Sequence, residues 1–126
     1  MITTEIIKVN AAAPEAEALD RAATILRRGG LVAFPTETVY GLGASVYHPE
    51  SVKRIFTVKG RPGDNPLIVH LYQWEQLTEI VAAVPEQAAL LAKHFWPGPL
   101  TMIFPKKEKI PPEVTAGLPT VAIRVP

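Results

Sequence analysis

The sequence predicts an α/β domain built on an open sheet, and three observations carry that reading. Apolar runs short enough for strands alternate with segments of helical period along most of the 126 residues. Leu67-Ile-Val-His-Leu-Tyr72 is nearly continuous in apolar residues, the pattern of a strand covered on both faces. Thr120-Val-Ala-Ile-Arg-Val125 alternates, with Val121, Ile123 and Val125 facing one way and Thr120, Ala122 and Arg124 the other.

Each element has its own local signature. Pro14 to Arg28 reads as a helix: proline near the first turn, Glu15 and Glu17 at the positive end, Arg27 and Arg28 at the negative end, then Gly29-Gly30. Leu31 to Phe34 is a buried strand stopped by Pro35. Val39 to Ser45 is extended but interrupted by glycines, which predicts a strand whose backbone something else approaches closely, a ligand being one candidate. Pro49 to Val58 carries Val52, Ile55 and Phe56 at helical spacing. After the 67–72 strand, Trp74 to Ala83 and Pro85 to Phe95 read as two helices, and Trp96-Pro-Gly-Pro breaks the second. Leu100 to Phe104 is a strand, and the lysine- and proline-rich stretch Pro105 to Pro119 is expected to be a mobile loop.

Composition narrows the function classes. Lys+Arg 13 against Asp+Glu 12 gives a net charge of +1, so no bulk attraction to a polyanion is implied. Cysteine is absent, which excludes disulfides, thiolate metal sites and a cysteine nucleophile and suits a reducing compartment; a cytoplasmic location is expected. The N-terminus carries acid where a signal peptide carries base, and no apolar run approaches the roughly 20 residues that span a bilayer, so no membrane partner is expected.

Charge is concentrated locally instead. Lys53, Arg54, Lys59 and Arg61 fall in a segment, Ser51 to Gly63, that contains no acid. Pro62 and Pro66 limit backbone freedom around Gly63, so Lys59, Arg61 and Asn65 form a stiff cationic turn suited to a phosphate. Arg61 suits bidentate phosphate contact and Lys59 a point charge; the bland alternative is a solvated basic face. No Walker or dinucleotide glycine motif is present. Thr36-Glu-Thr38 ends a strand, where open α/β sheets place ligand crevices and two hydroxyls could hold a polar substrate, although a turn satisfied by threonine hydroxyls is the commoner reading. Arg124 on an interior strand needs an anion or a carboxylate to offset its burial. His70, within an apolar strand, suits a hydrogen-bonded structural role. His48 and His94 read as surface residues, and three scattered histidines make no metal site. Trp96 is a core tryptophan before a turn, with base stacking as the alternative.

Four blocks, Phe34-Pro-Thr-Glu-Thr-Val-Tyr-Gly-Leu-Gly43, Lys59-Gly-Arg-Pro-x-x-Asn-Pro-Leu-Ile-Val-His70, Phe95-Trp-Pro-Gly-Pro-Leu-Thr101 and Val121-Ala-Ile-Arg-Val-Pro126, resemble in order the signatures of the YrdC/Sua5 family. These are the threonylcarbamoyl-AMP synthases of tRNA modification. The resemblance implies a single YrdC-like domain over 1–126, a twisted open mixed sheet with flanking helices and a positively charged concave surface. It implies a nucleotidyltransferase joining L-threonine, bicarbonate or CO₂, and ATP, with Mg²⁺ accompanying the nucleotide, and releasing pyrophosphate. Lys59 and Arg61 resemble the first half of the family's KxR and SxN signature and its catalytic cations. Arg61, Asn65 and Thr120 resemble the ATP-contacting positions, and Thr38, His70 and Arg124 the L-threonine-contacting ones.

The implied partners are tRNA or double-stranded RNA and a downstream threonylcarbamoyl transferase complex that completes the t6A modification. Family members continue past the Ala-Ile-Arg strand with segments carrying Ser-x-Asn, and no Ser-x-Asn occurs here. The expectation is therefore the N-terminal portion of the domain, C-terminally truncated, with an exposed sheet edge that favours homo-oligomers. Two other readings stay open: an RNA-binding module without catalysis, which the near-neutral charge does not favour, and a YrdC-like carbamoyl-transfer domain, whose usual zinc-finger context needs cysteines.

Overall fold

A computed structural model describes residues 3–126. The elements in chain order are α1 (Ala16–Arg27), β1 (Val32–Phe34), β2 (Gly41–Gly43), α2 (Pro49–Lys59), β3 (Ile68–His70), α3 (Leu77–Ile80), α4 (Glu86–Phe95), β4 (Met102–Pro105), α5 (Pro112–Thr115) and β5 (Thr120–Arg124). The α/β class is as expected. The sheet is divided: β1 and β2 form an antiparallel hairpin, while β3, β5 and β4 form a mixed sheet with β5 in the centre, parallel to β3 and antiparallel to β4.

Helix boundaries follow from capping chemistry. α1 begins after Glu15, carries Glu17 in its first turn and Arg27 in its last, and is followed by Gly29 at a φ of 83°. α2 starts with Pro49 and is closed by Gly60, whose φ of 65° and ψ of 33° reverse the chain. The Gly60 N–H donates to the Thr57 carbonyl at 3.2 Å and the Arg61 N–H to the Phe56 carbonyl at 2.9 Å. This paired closure satisfies carbonyls that a helix end otherwise leaves open. The Ser51 hydroxyl donates to the Gly29 carbonyl at 2.6 Å and pins the start of α2 to the end of α1.

Alternation on β5 holds as read. Val121, Ile123 and Val125 are buried, and Ile123 is paired with Met102 on β4 and Val69 on β3, so one face of the mixed sheet is the core. α2, α3, α4 and α5 contribute Val52, Leu77, Ala88 and Val114 to that core. The opposite face carries Ile68, His70, Ile103, Ala122 and Arg124 and is largely open, with Ile68 and Ile103 exposed. The expectation of a 67–72 strand covered on both faces is thereby corrected. Only Val69 of β3 is buried, because an apolar run with one covered face looks the same in sequence as one with two.

Two further expectations are corrected. Trp74 to Ala83 is a 3-10 turn at Trp74–Gln76 followed by the short α3, not one helix. The Gln76 side chain accepts from the Tyr72 and Gln73 N–H groups, and past Ile80 the chain extends to pair Val81 with Lys106. The 105–119 stretch is not a loose loop. Ile110 is 0% exposed and Val114 and Thr115 each 1%, and the Leu67 N–H donates to the Val114 carbonyl at 2.8 Å. Lys107 and Lys109 face outward, half-buried Lys106 donates from Nζ to the Ile110 carbonyl at 3.0 Å, and two apolar side chains seal one end of the core, so composition misjudged it. Among the described residues no helix is long and apolar enough to cross a membrane.

If this segment is part of the core, Ile110→Ala should destabilise the fold by about 2–5 kcal/mol, the range for truncating a buried aliphatic side chain. Urea unfolding monitored at Trp74 and Trp96 measures this, and a loss below about 0.5 kcal/mol, typical of a surface site, would restore the mobile-loop reading.

Candidate functional site

The open face of the mixed sheet has two ends, fixed by the parallel pairing of β3 with β5. His70 is opposite Arg124 at the C-terminal end. At the N-terminal end, Thr120 begins β5, and the turn that carries Arg61 and Asn65 delivers the chain into β3. Thr120 and Arg124 point to the same side, about 13 Å apart at the usual strand rise.

Arg124 is the most constrained charge. It is 9% exposed, and its Nε donates to the Gly98 carbonyl at 3.2 Å. Its Nη2 meets Glu37 Oε1 at 2.6 Å. That contact is a close ion pair, and Glu37 is the one carboxylate partner of Arg124 among the described residues. Glu37 is 37% exposed at its side chain, and the short contact to Arg124 is the largest influence holding its carboxyl below the ordinary range. Partial desolvation opposes this, and Glu37's own backbone N–H and then the charges of Arg124 and His70 reinforce it.

Two sequence features now have structural explanations. The Trp96-Pro-Gly-Pro break presents the Gly98 carbonyl to Arg124, while the Gly98 N–H donates to the Val125 carbonyl at 2.8 Å. A Cβ on Gly98 would lie 2.5 Å from the Phe95 carbonyl oxygen, so only glycine fits. Trp96 is half-buried, donates from Nε1 to the Leu100 carbonyl at 2.7 Å and lies 6.2 Å from Trp74, as the core reading requires. The glycine-interrupted strand is approached closely by Phe34: a Cβ on Gly43 would come within 2.7 Å of the Phe34 ring. Protein rather than ligand fills that space. The same ring packs edge-on against His70 at 6.0 Å, which ties the hairpin to the sheet.

The β1–β2 connection is set by Thr36. Its hydroxyl donates to the Val39 carbonyl at 2.6 Å and accepts from the Val39 and Thr38 N–H groups at 3.2 and 3.3 Å. The turn satisfied by a threonine hydroxyl is therefore present, and it leaves Thr38 exposed beside Glu37 with its hydroxyl 3.1 Å from that of Thr36. His70 Nδ1 lies 3.1 Å from the Ile68 carbonyl; a carbonyl can only accept, so Nδ1 carries the proton and Nε2 is free. His70 is hydrogen-bonded as expected, and it is exposed. His94 is exposed as expected, and His48 is half-buried at the start of α2.

Thr38, His70 and Arg124 thus gather at one end of the open face. Lys59, Arg61 and Asn65 are exposed and, among the described residues, form no ion pair or side-chain hydrogen bond. Thr120 is half-buried at the strand's start. Sequence reasoning missed Glu37 and Gly98. The signal for Glu37 was available, since a buried Arg124 required a carboxylate and Glu37 is the one acid in the strand-end turn.

The sequence model of the Sua5/YciO/YrdC family, described as telomere recombination, matches residues 24–126. The chain belongs to the Sua5/YciO/YrdC family. It is similar to the threonylcarbamoyl-AMP synthase of Pyrococcus abyssi, 58% identical over 105 residues, which cover 83% of this chain and 31% of that protein. The corresponding enzyme of Bacillus subtilis is 55% identical, over 84% of this chain and 31% of its own length. This Sua5/YciO/YrdC chain therefore spans about a third of each of these relatives. Its fold matches a crystal structure of P. abyssi Sua5 complexed with L-threonine at a TM-score of 0.88 and 54% identity, covering 90% of this chain and 34% of that one. E. coli YciO, 24% identical with a TM-score of 0.78, has the same fold.

Because Glu37 titrates below the usual carboxylate range in the folded state, its pairing with Arg124 stabilises the fold fully above the unfolded-chain value and is lost as pH falls through the folded one. The gap in denaturation midpoint between the natural chain and Glu37→Gln should be widest near neutrality and close in acid. A gap independent of pH would mean that charge does not carry the contact. Gly98→Ala should lower the melting temperature through its clash with the Phe95 carbonyl; an unchanged midpoint would show that the 96–99 turn adapts freely.

Proposed function

We propose that this chain carries the substrate-binding face of an L-threonylcarbamoyladenylate synthase, acting on L-threonine, bicarbonate or CO₂, and MgATP. The observation that carries the reading is Arg124: an arginine 9% exposed, at the end of an open sheet face beside His70 and Thr38, in a fold 54% identical to a protein crystallised with L-threonine. A buried guanidinium whose counterion comes from an exposed turn is suited to a carboxylate.

In this reading Arg124 holds the threonine carboxylate, and Thr38 and the free Nε2 of His70 hold its polar groups. Arg61, Asn65 and Thr120 bind ATP at the other end of the face. The threonine amine captures CO₂ to give a carbamate, a carbamate oxygen attacks the α-phosphorus, and the bond to the departing pyrophosphate breaks. No protein nucleophile is needed, so the chain's task is to align two substrates and offset charge. Lys59 and Arg61 do the latter for the phosphates. Among the described residues no three His, Asp or Glu side chains converge, so Mg²⁺ would arrive on the nucleotide, held by phosphate oxygens and water. The product then serves t6A formation on tRNA through a separate transferase complex in the cytoplasm, and the chain self-associates through its open sheet edge.

The test is threonine-dependent release of pyrophosphate from ATP in the presence of bicarbonate. Arg61→Ala should reduce it about 100-fold, the effect of removing one donor worth roughly 3 kcal/mol of barrier, with an unchanged unfolding midpoint. Near-normal turnover would remove Arg61 from the role. RNA binding without threonine-dependent turnover would favour a binding module instead.

A further inference from the structure

Glu37 lies beside the proposed threonine site, and nothing in that reaction uses it. An arginine as buried as Arg124 is costly to leave without a counterion, and one reserved for a transient ligand faces that cost whenever the ligand is absent. Glu37 meets Nη2 at 2.6 Å, while the remaining hold on the guanidinium, the Gly98 carbonyl, comes through Nε from another direction. The pair can therefore open without breaking the second contact. Glu37 has no other ion pair among the described residues, its carboxylate is otherwise touched only by its own backbone N–H, its side chain is more than one-third exposed, and it sits in a turn closed by Thr36 through local bonds alone. Strong pairing on one side and free exposure on the other describe a group that can leave.

We infer that Glu37 is an internal placeholder for the substrate carboxylate, occupying Arg124 until an amino acid displaces it. This rests on the proposed threonine site and adds a positioning residue to it. The carboxylate of the amino acid and that of Glu37 are the same chemical group competing for one guanidinium, so exchange preserves the charge-assisted contact throughout. A self-occupied site lowers apparent affinity by the fraction of molecules that are open. It also disfavours ligands without a carboxylate, which cannot compensate Arg124 once Glu37 has moved.

Calorimetric titration of L-threonine into the natural chain, Glu37→Gln and Glu37→Ala tests this, with L-threoninol, which lacks the carboxylate, as the control ligand. If the placeholder state holds roughly nine molecules in ten, both variants should bind L-threonine about tenfold more tightly. L-threoninol should bind no better to the variants than to the natural chain. The variants should also melt at lower temperature without ligand and gain more from L-threonine than the natural chain does. Tighter binding of both ligands would mean that the turn has merely loosened, and would overturn the competition. Unchanged or weaker L-threonine binding in the variants, with normal binding by the natural chain, would overturn the placeholder and leave the threonine site standing. No binding by any of the three would overturn the site and the placeholder together.

Discussion

Much of this fold's organisation depends on one requirement, that a guanidinium buried at the end of the central strand be compensated. Arg124 draws on three separate segments to meet it. β5 places it, the 96–99 turn supplies a carbonyl, and the connection between β1 and β2 supplies a carboxylate. Each supplier is itself locally fixed: the turn by the contact from Gly98 to Val125, the connection by the Thr36 hydroxyl. The hairpin would otherwise meet the mixed sheet at this end chiefly through the edge of Phe34 on His70. A polar contact thus unites two sheets that share no strand pairing.

The same arrangement separates the chemistry of the two ends. Around Arg124 the charges are partnered and partly buried, which suits recognition of a small zwitterion by fixed groups. Around Lys59 and Arg61 they are exposed and form no ion pair among the described residues. A left-handed closure at Gly60 ends α2 between the two cations, so Lys59 belongs to the helix and Arg61 to the turn that follows it. Parallel pairing of β3 with β5 then keeps the two ends a fixed distance apart.

Two segments differ from their average character for one physical reason. The apolar 67–72 run and the lysine-rich 105–119 stretch were each judged by average character, and each splits by residue. Val69 is buried while Ile68 and His70 face outward, and Ile110 is buried while Lys107 and Lys109 are not. Average hydropathy reports how much of a segment is apolar, but burial depends on which side chains the neighbouring elements cover. Glu37 escaped for a related reason. Its partner is 87 positions away in the chain, so the need of Arg124 for a carboxylate and the acid in the strand-end turn are not joined by any local pattern.

By itself the sequence determined the elements whose causes are local: the capped ends of α1 and α2, the glycine reversal at Gly60, the two faces of β5 and the stiff cationic turn. Four ordered blocks also determined the family. Tertiary structure alone decided that the sheet is split in two, that one face of β3 stays open, and that Glu37 and Gly98 converge on Arg124. Backbone propensity and side-chain periodicity act over a few residues and can be read along the chain. Compensation of a buried charge is satisfied in space, by whichever groups the packed elements bring within reach.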